Sequence, residues 1–171
     1  MIKDALNFLR LQTQDIKHFD KYSIPSIILI YVLLEIIAYL ADGVPIESPI
    51  EILSNLGVTI FTFLFFIYWI FRKVKTLSFI LACKFFGVMN IGLSIALIIL
   101  QIIALALGTT LDNIYIALVI LIFIIFITGI STSKAIDVSK TYALSGVTLS
   151  ILLLIIIYII YLMIEMALIY V

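Results

Sequence analysis

The sequence predicts an all-α, polytopic membrane protein: five transmembrane helices behind an N-terminal amphipathic interfacial helix. Composition is the first reason. Of 171 residues, 65% are hydrophobic and 12% charged, and the mean hydropathy is +1.38, far outside the range of soluble domains. The second is length. Apolar runs of about 18 or more residues, enough to cross the hydrocarbon of a bilayer, recur at about 24–41, 52–71, 88–107, 111–130 and 147–166. The third is the placement of charge.

Lys3, Arg10, Lys17 and Lys21 precede the first run; Arg72, Lys73, Lys75 and Lys84 follow the second; Lys134 and Lys140 follow the fourth. Five crossings therefore put all ten basic residues on one side. The other side receives Asp42, Glu47, Glu51 and Asp112. By the positive-inside rule the N-terminus is expected in the cytoplasm and the C-terminus outside. Loops this short leave no room for a separate soluble domain. The expected division is residues 1–22 as a surface helix and 23–171 as the transmembrane domain.

In chain order, "MIKDALNFLRLQTQDIKHFDKYS" carries Ile2, Leu6, Leu9, Ile16 and Phe19 at helical spacing among charges of both signs. That pattern predicts an amphipathic helix lying on the inner surface, with His18 a solvated residue rather than a ligand. Ser23 and Pro25 open the first span. A cleavable leader is not expected, because polar residues come first and "AYLADG" is a poor cleavage site. After the second span, a helix over 76–107 would be roughly 48 Å long. Its first part is expected in the interface, with Lys84 snorkelling to headgroups and Gly87 marking a bend. The single Cys83 excludes an intramolecular disulfide and reads as a small packing residue.

Polar residues inside the runs are the candidates for function. Tyr31, Glu35 and Tyr39 share a face of the first span at i, i+4, i+8; Tyr158, Tyr161 and Glu165 share a face of the fifth at i, i+3, i+7. Asn90, Ser94 and Gln101 form a stripe on the third, beside Cys83 and Gly87. These faces most economically point at one another. No basic residue stands in the outer half to neutralise either glutamate, and an ionised carboxylate in hydrocarbon costs several kcal/mol. Three outcomes stay open: protonated carboxyls hydrogen-bonded to Tyr or Gln, carboxyls facing a wet cavity, or carboxyls contacting a partner subunit or a cation. Functionally these read as glue between helices or as a proton, cation or amine site.

Chemistry of other kinds finds no foothold. The lone His lies in the surface segment, remote from Cys83, so no Ser-His or Cys-His nucleophile is formed. Metal-ligand spacings, P-loops and dinucleotide fingerprints are missing from the sequence. The expectation is a protein that is not an enzyme and uses no cofactor, metal or nucleic acid.

Two segments resemble the Yip1 domain family. "FFIYWIFRKVKTLSFILACKFFGVMNIGLSIALII" is similar to its second-to-third-span region, where a basic turn leads to a small-residue-rich span. "IFIIFITGISTSKAIDVSKTYALSGVTLSILLLII" is similar to its fourth-to-fifth-span region, with a Gly, a polar turn and the Lys134–Ala135 pair. The Asp-Leu-Tyr-Gly-Pro motif of eukaryotic members and the third-span proline are missing here. The resemblance thus implies a prokaryotic relative in the cytoplasmic membrane rather than a Golgi-traffic role. Two function classes follow: a non-enzymatic scaffold or adaptor, and a small oligomeric transporter, channel or lipid-handling protein using Glu35 and the third-span stripe. Expected partners are membrane lipids and a protein partner or a second copy of the chain.

Overall fold

The computed structural model describes residues 1–42, 61–75, 77–108 and 114–169, and every regular element among these is a helix. In order they are α1 (Ile2–Leu9), a 3-10 turn (Ile16–Lys21), α2 (Ile24–Asp42), α4 (Phe79–Ala106), α5 (Ile114–Ile136) and α6 (Lys140–Ile169); α3 (Phe61–Phe71) lies between α2 and α4. Three helices, α4, α5 and α6, are long and apolar enough to cross a membrane. The remainder of the expected second span, and the segments holding Glu47, Glu51 and Asp112, lie outside the described residues.

The boundaries of α5 and α6 differ from those the apolar runs predict. Helix α5 continues through "STSKAI" to Ile136, and α6 already begins at Lys140. Hydropathy ends a span at the first polar cluster, but here the polar cluster is packed: Thr128, Ser131, Thr132 and Ser133 are all buried. Small hydroxyl side chains let helices approach closely, so propagation of the helix costs little. The three-residue gap between α5 and α6 is closed by Ser133 Oγ donating to Val138 O at 2.7 Å, with Asp137 in the left-handed region (φ 54°).

The N-terminal segment also departs from expectation. It is not one surface helix but two short pieces with a reversal between them. Arg10 ends α1, its N–H donating to Asn7 O at 3.1 Å, and Leu11, whose N–H donates to Phe8 O at 2.9 Å, turns through φ 55°. Asp15 caps the 3-10 turn by accepting from Lys17 N at 2.8 Å. The reversal brings Phe8 and Phe19 together, stacked at 5.4 Å, and both rings meet Phe85 of α4 edge-on at 5.4 and 5.2 Å. An amphipathic sequence can bury its apolar face in lipid or in protein; here protein takes Ala5, Phe8, Ile16 and Phe19, while Ile2 and Leu6 stay exposed.

Helix α4 organises the rest. The N-terminal segment and α2 pack on it, while α5 packs on α6. Phe86 receives Phe63 and Phe66 of α3 at 5.5 and 5.0 Å. Two close approaches depend on glycine. A Cβ on Gly92 would stand 2.2 Å from Ala5 O, a backbone atom of α1; one on Gly87 would stand 2.6 Å from Ile27 Cγ2 of α2. Gly87 thus admits a neighbouring helix within an unbroken α4 rather than marking an interruption. Cys83 is partly buried against the core.

Candidate functional site

At one end of the molecule α4 and α5 meet the N-terminal segment and α3 meets α6: Lys84 Nζ bonds Asp20 Oδ1 at 2.7 Å and Asp20 O at 2.8 Å, Lys134 Nζ bonds Leu11 O at 2.7 Å, and Trp69 bonds Tyr142 O. We call it the basic end. Lys84 is a correction to the sequence expectation. With 15% of its side chain exposed, it clips the N-terminal segment to α4 instead of snorkelling.

A polar network seats α1 on the 3-10 turn. Asp4 Oδ2 accepts from Tyr22 Oη at 2.5 Å and lies 2.7 Å from His18 Nε2 and 3.1 Å from Lys21 Nζ. Burial pushes the Asp4 carboxyl up, but the hydrogen bonds from Tyr22, His18 and Lys21 outweigh it and hold the group well below the usual carboxylate range. Burial and the neighbouring carboxylate together push the Tyr22 phenol up, so it remains a donor. His18 Nε2 also lies 2.7 Å from Lys21 Nζ; one nitrogen can donate to Asp4 or accept from Lys21, not both. An ionised Asp4 favours the tautomer that donates. His18, with 35% of its side chain exposed, thus stays at the surface as expected, but it is tied to Asp4 rather than left to solvent alone.

A second joint fastens α3 to α6. Trp69 and Tyr142 stack at 5.4 Å. Tyr142 Oη donates to Trp69 O at 2.5 Å, and Trp69 Nε1 donates to Tyr142 O at 3.2 Å. Both polar ring atoms are thus satisfied within the pair, as buried aromatic tips require. Gly146 makes room for it: a Cβ there would stand 2.4 Å from Trp69 Cδ1. Arg72 lies 5.7 Å from the Trp69 ring centre and Lys73 Nζ 5.3 Å from that of Tyr142, within cation–π range.

The sequence-predicted polar residues are distributed differently. Helices α2 and α4 do pack together, which brings the helix carrying Tyr31 against the one carrying Asn90, Ser94 and Gln101; all four side chains are half-buried. The side chains of Glu35, Tyr39, Tyr161 and Glu165 lie outside the described part of the structure. Tyr158 is 58% exposed on a helix that packs on α5, so it is not drawn into the α2–α4 seam. Among the described residues no group of three His, Cys, Asp or Glu could hold a metal ion.

Sequence reasoning missed the two joints at the basic end. Asp4, His18 and Tyr22 are separated by a chain reversal that periodicity does not reveal, and Trp69 and Tyr142 are 73 residues apart. The only advance signal was the side chains themselves: Trp and Tyr at the ends of apolar runs usually seek a polar partner. No family model, curated protein or solved structure matches the chain.

Proposed function

We propose that this chain is a non-enzymatic integral membrane scaffold or adaptor of Yip1-like type, working through its transmembrane helices. In this reading it crosses a prokaryotic cytoplasmic membrane five times, with the basic end in the cytoplasm and the C-terminus outside. It binds a protein partner or a second copy of itself, in contact with membrane lipids, and uses no cofactor.

One observation carries the reading. The basic end is filled by Phe8, Phe19, Phe85 and Phe86, each no more than 1% exposed, so the centre of the protomer there is solid aromatic packing. Away from it, α2, α4, α5 and α6 all present large apolar side chains outward. A molecule plugged at one end and open on its flanks is suited to lateral association rather than to conduction through its middle. Purification in mild detergent with native mass spectrometry is the test. The expected result is a protein partner or second copy in fixed stoichiometry.

The transport reading draws on the α2–α4 packing, which sets the helix bearing Glu35 beside the Asn90, Ser94 and Gln101 stripe. It predicts proton or cation flux in proteoliposomes that Glu35→Gln abolishes while thermal unfolding stays unchanged. Such flux would overturn the scaffold proposal. If Glu35 is glue, Glu35→Gln leaves function intact and Glu35→Leu destabilises by roughly 1 kcal/mol.

A further inference from the structure

The basic end carries more positive charge than it uses. Its ten Lys and Arg residues meet four acids, Asp4, Asp15, Asp20 and Asp137, an excess of six positive charges. Lys21 and Lys84 pair with Asp4 and Asp20, and Lys134 caps a carbonyl. Arg72, Lys73, Lys75 and Lys140 are exposed, and among the described residues no carboxylate stands within ion-pair distance of them. Two of these four do not range freely. Arg72 and Lys73 are held against the rings of Trp69 and Tyr142, which are locked to each other by two hydrogen bonds. The joint is a rigid platform that keeps two cations at the mouth of α3 and α6.

From this we infer that the Trp69–Tyr142 platform, with Arg72 and Lys73 and flanked by Lys75 and Lys140, is a headgroup site for an anionic phospholipid. Charge complementarity names the phosphate: a guanidinium and ammonium groups lacking carboxylates are its natural ligands. The surface leading to the site names a lipid rather than a free anion. Phe61, Leu64 and Tyr68 follow one another at i, i+3, i+7 and share one face of α3, and Arg72, the residue after its end, continues the series at i+11, its N–H bonded to Tyr68 O. The first three are 52%, 41% and 63% exposed. An exposed apolar track ending in a cation matches an acyl chain ending in a phosphate. The platform's own N–H and O–H groups are consumed internally, so the rings orient the cations and leave phosphate binding to them. This site does not depend on the scaffold reading.

Trp69 is the only tryptophan in the chain, so its fluorescence reports the site directly. The protein is placed in nanodiscs containing a fixed fraction of brominated phosphatidylglycerol or brominated phosphatidylcholine, and quenching of Trp69 is compared. The expected preference for the anionic lipid is at least about fivefold, the effect of a single interfacial cation. Arg72→Gln with Lys73→Gln should abolish that preference. Lys3→Gln with Lys17→Gln, the same charge loss on the N-terminal segment, should leave it. If the first pair disturbs the fold by circular dichroism, Lys75→Gln with Lys140→Gln, which spares the ring contacts, should lower the preference. Equal quenching by the two lipids in the parent protein overturns the site. So does equal loss in the Lys3/Lys17 variant, which would mean diffuse charge, or competition by millimolar inorganic phosphate as effective as the lipid.

Discussion

At the basic end of α4, Phe85 and Phe86 are 0% and 1% exposed; further along the same helix, Ile102 and Ile103 are 54% and 49% exposed. The residues are equally apolar, so hydrophobicity is not what separates them. The basic end is where soluble-style interactions converge: edge-on phenylalanines, a carboxylate shared by three donors, glycines that admit a neighbour's backbone. The far half has helices whose side chains face outward, where lipid tails are as good a solvent for Ile as another Ile. In a membrane protein a tight core forms where the partner offers something lipid cannot, such as hydrogen bonds, ring geometry or close backbone approach.

The largest test of this contrast is truncation at each end. Phe85→Ala should destabilise by about 3–5 kcal/mol, measured by reversible unfolding in bilayers or mild detergent, whereas Ile103→Ala should cost well under 1 kcal/mol. Comparable losses would erase the distinction. Next comes Gly92→Ala, whose Cβ has no room against Ala5 O. It should cost about 1–3 kcal/mol through overpacking and, by unseating the N-terminal segment, speed tryptic cleavage after the already exposed Arg10 and Lys17. Unchanged proteolysis would mean the N-terminal segment is not seated through that glycine.

The polar network gives a pH signature. The Asp4 carboxyl is held below its ordinary value, so its contribution is fully present above about pH 4, the unfolded value, and is lost as pH falls further through the folded value. Asp4→Asn should cost about 1.5 kcal/mol at neutral pH and flatten the acid limb of the stability profile; an unaltered acid limb would assign it elsewhere. The smallest effect expected is Tyr142→Phe. It removes the shorter of two bonds to the Trp69 carbonyl, leaving the Arg72 N–H at 3.3 Å, and should cost about 1 kcal/mol, seen also as a shift in Trp69 emission. No shift would mean that water replaces the phenol without consequence.

Much of the helical architecture is legible in the residues, and particular residues show where legibility stops. The apolar runs locate α4, α5 and α6 because twenty-odd residues of Ile, Leu, Val and Phe admit only a buried or membrane-spanning helix. They misplace the junction of α5 and α6, because Ser131, Thr132 and Ser133 lower the local hydropathy while being buried. Thr13, Ser131 and Thr132 even hold hydroxyls without a hydrogen-bonding partner among the described residues, an outcome no polarity scale anticipates. Among the candidate polar residues, the pairing of the Tyr31 helix with the Asn90–Gln101 helix agrees with the small residues along α4. The outward Tyr158 does not follow from its i, i+3, i+7 spacing, since a helical face says which residues go together and not what they face.

Composition and charge order by themselves determined that the chain is helical, that it is apolar enough for a membrane and that its basic residues fall in three separate stretches of sequence. Those properties are sums over residues or local periodicities, and need no knowledge of neighbours. Only the tertiary structure decided that the N-terminal segment folds back into the bundle, that Asp4, His18 and Tyr22 share one network, and that Trp69 finds Tyr142. Such contacts join positions 14, 18 and 73 residues apart. Which of many apolar or aromatic partners is chosen depends on where a glycine leaves space and where a buried donor must be satisfied.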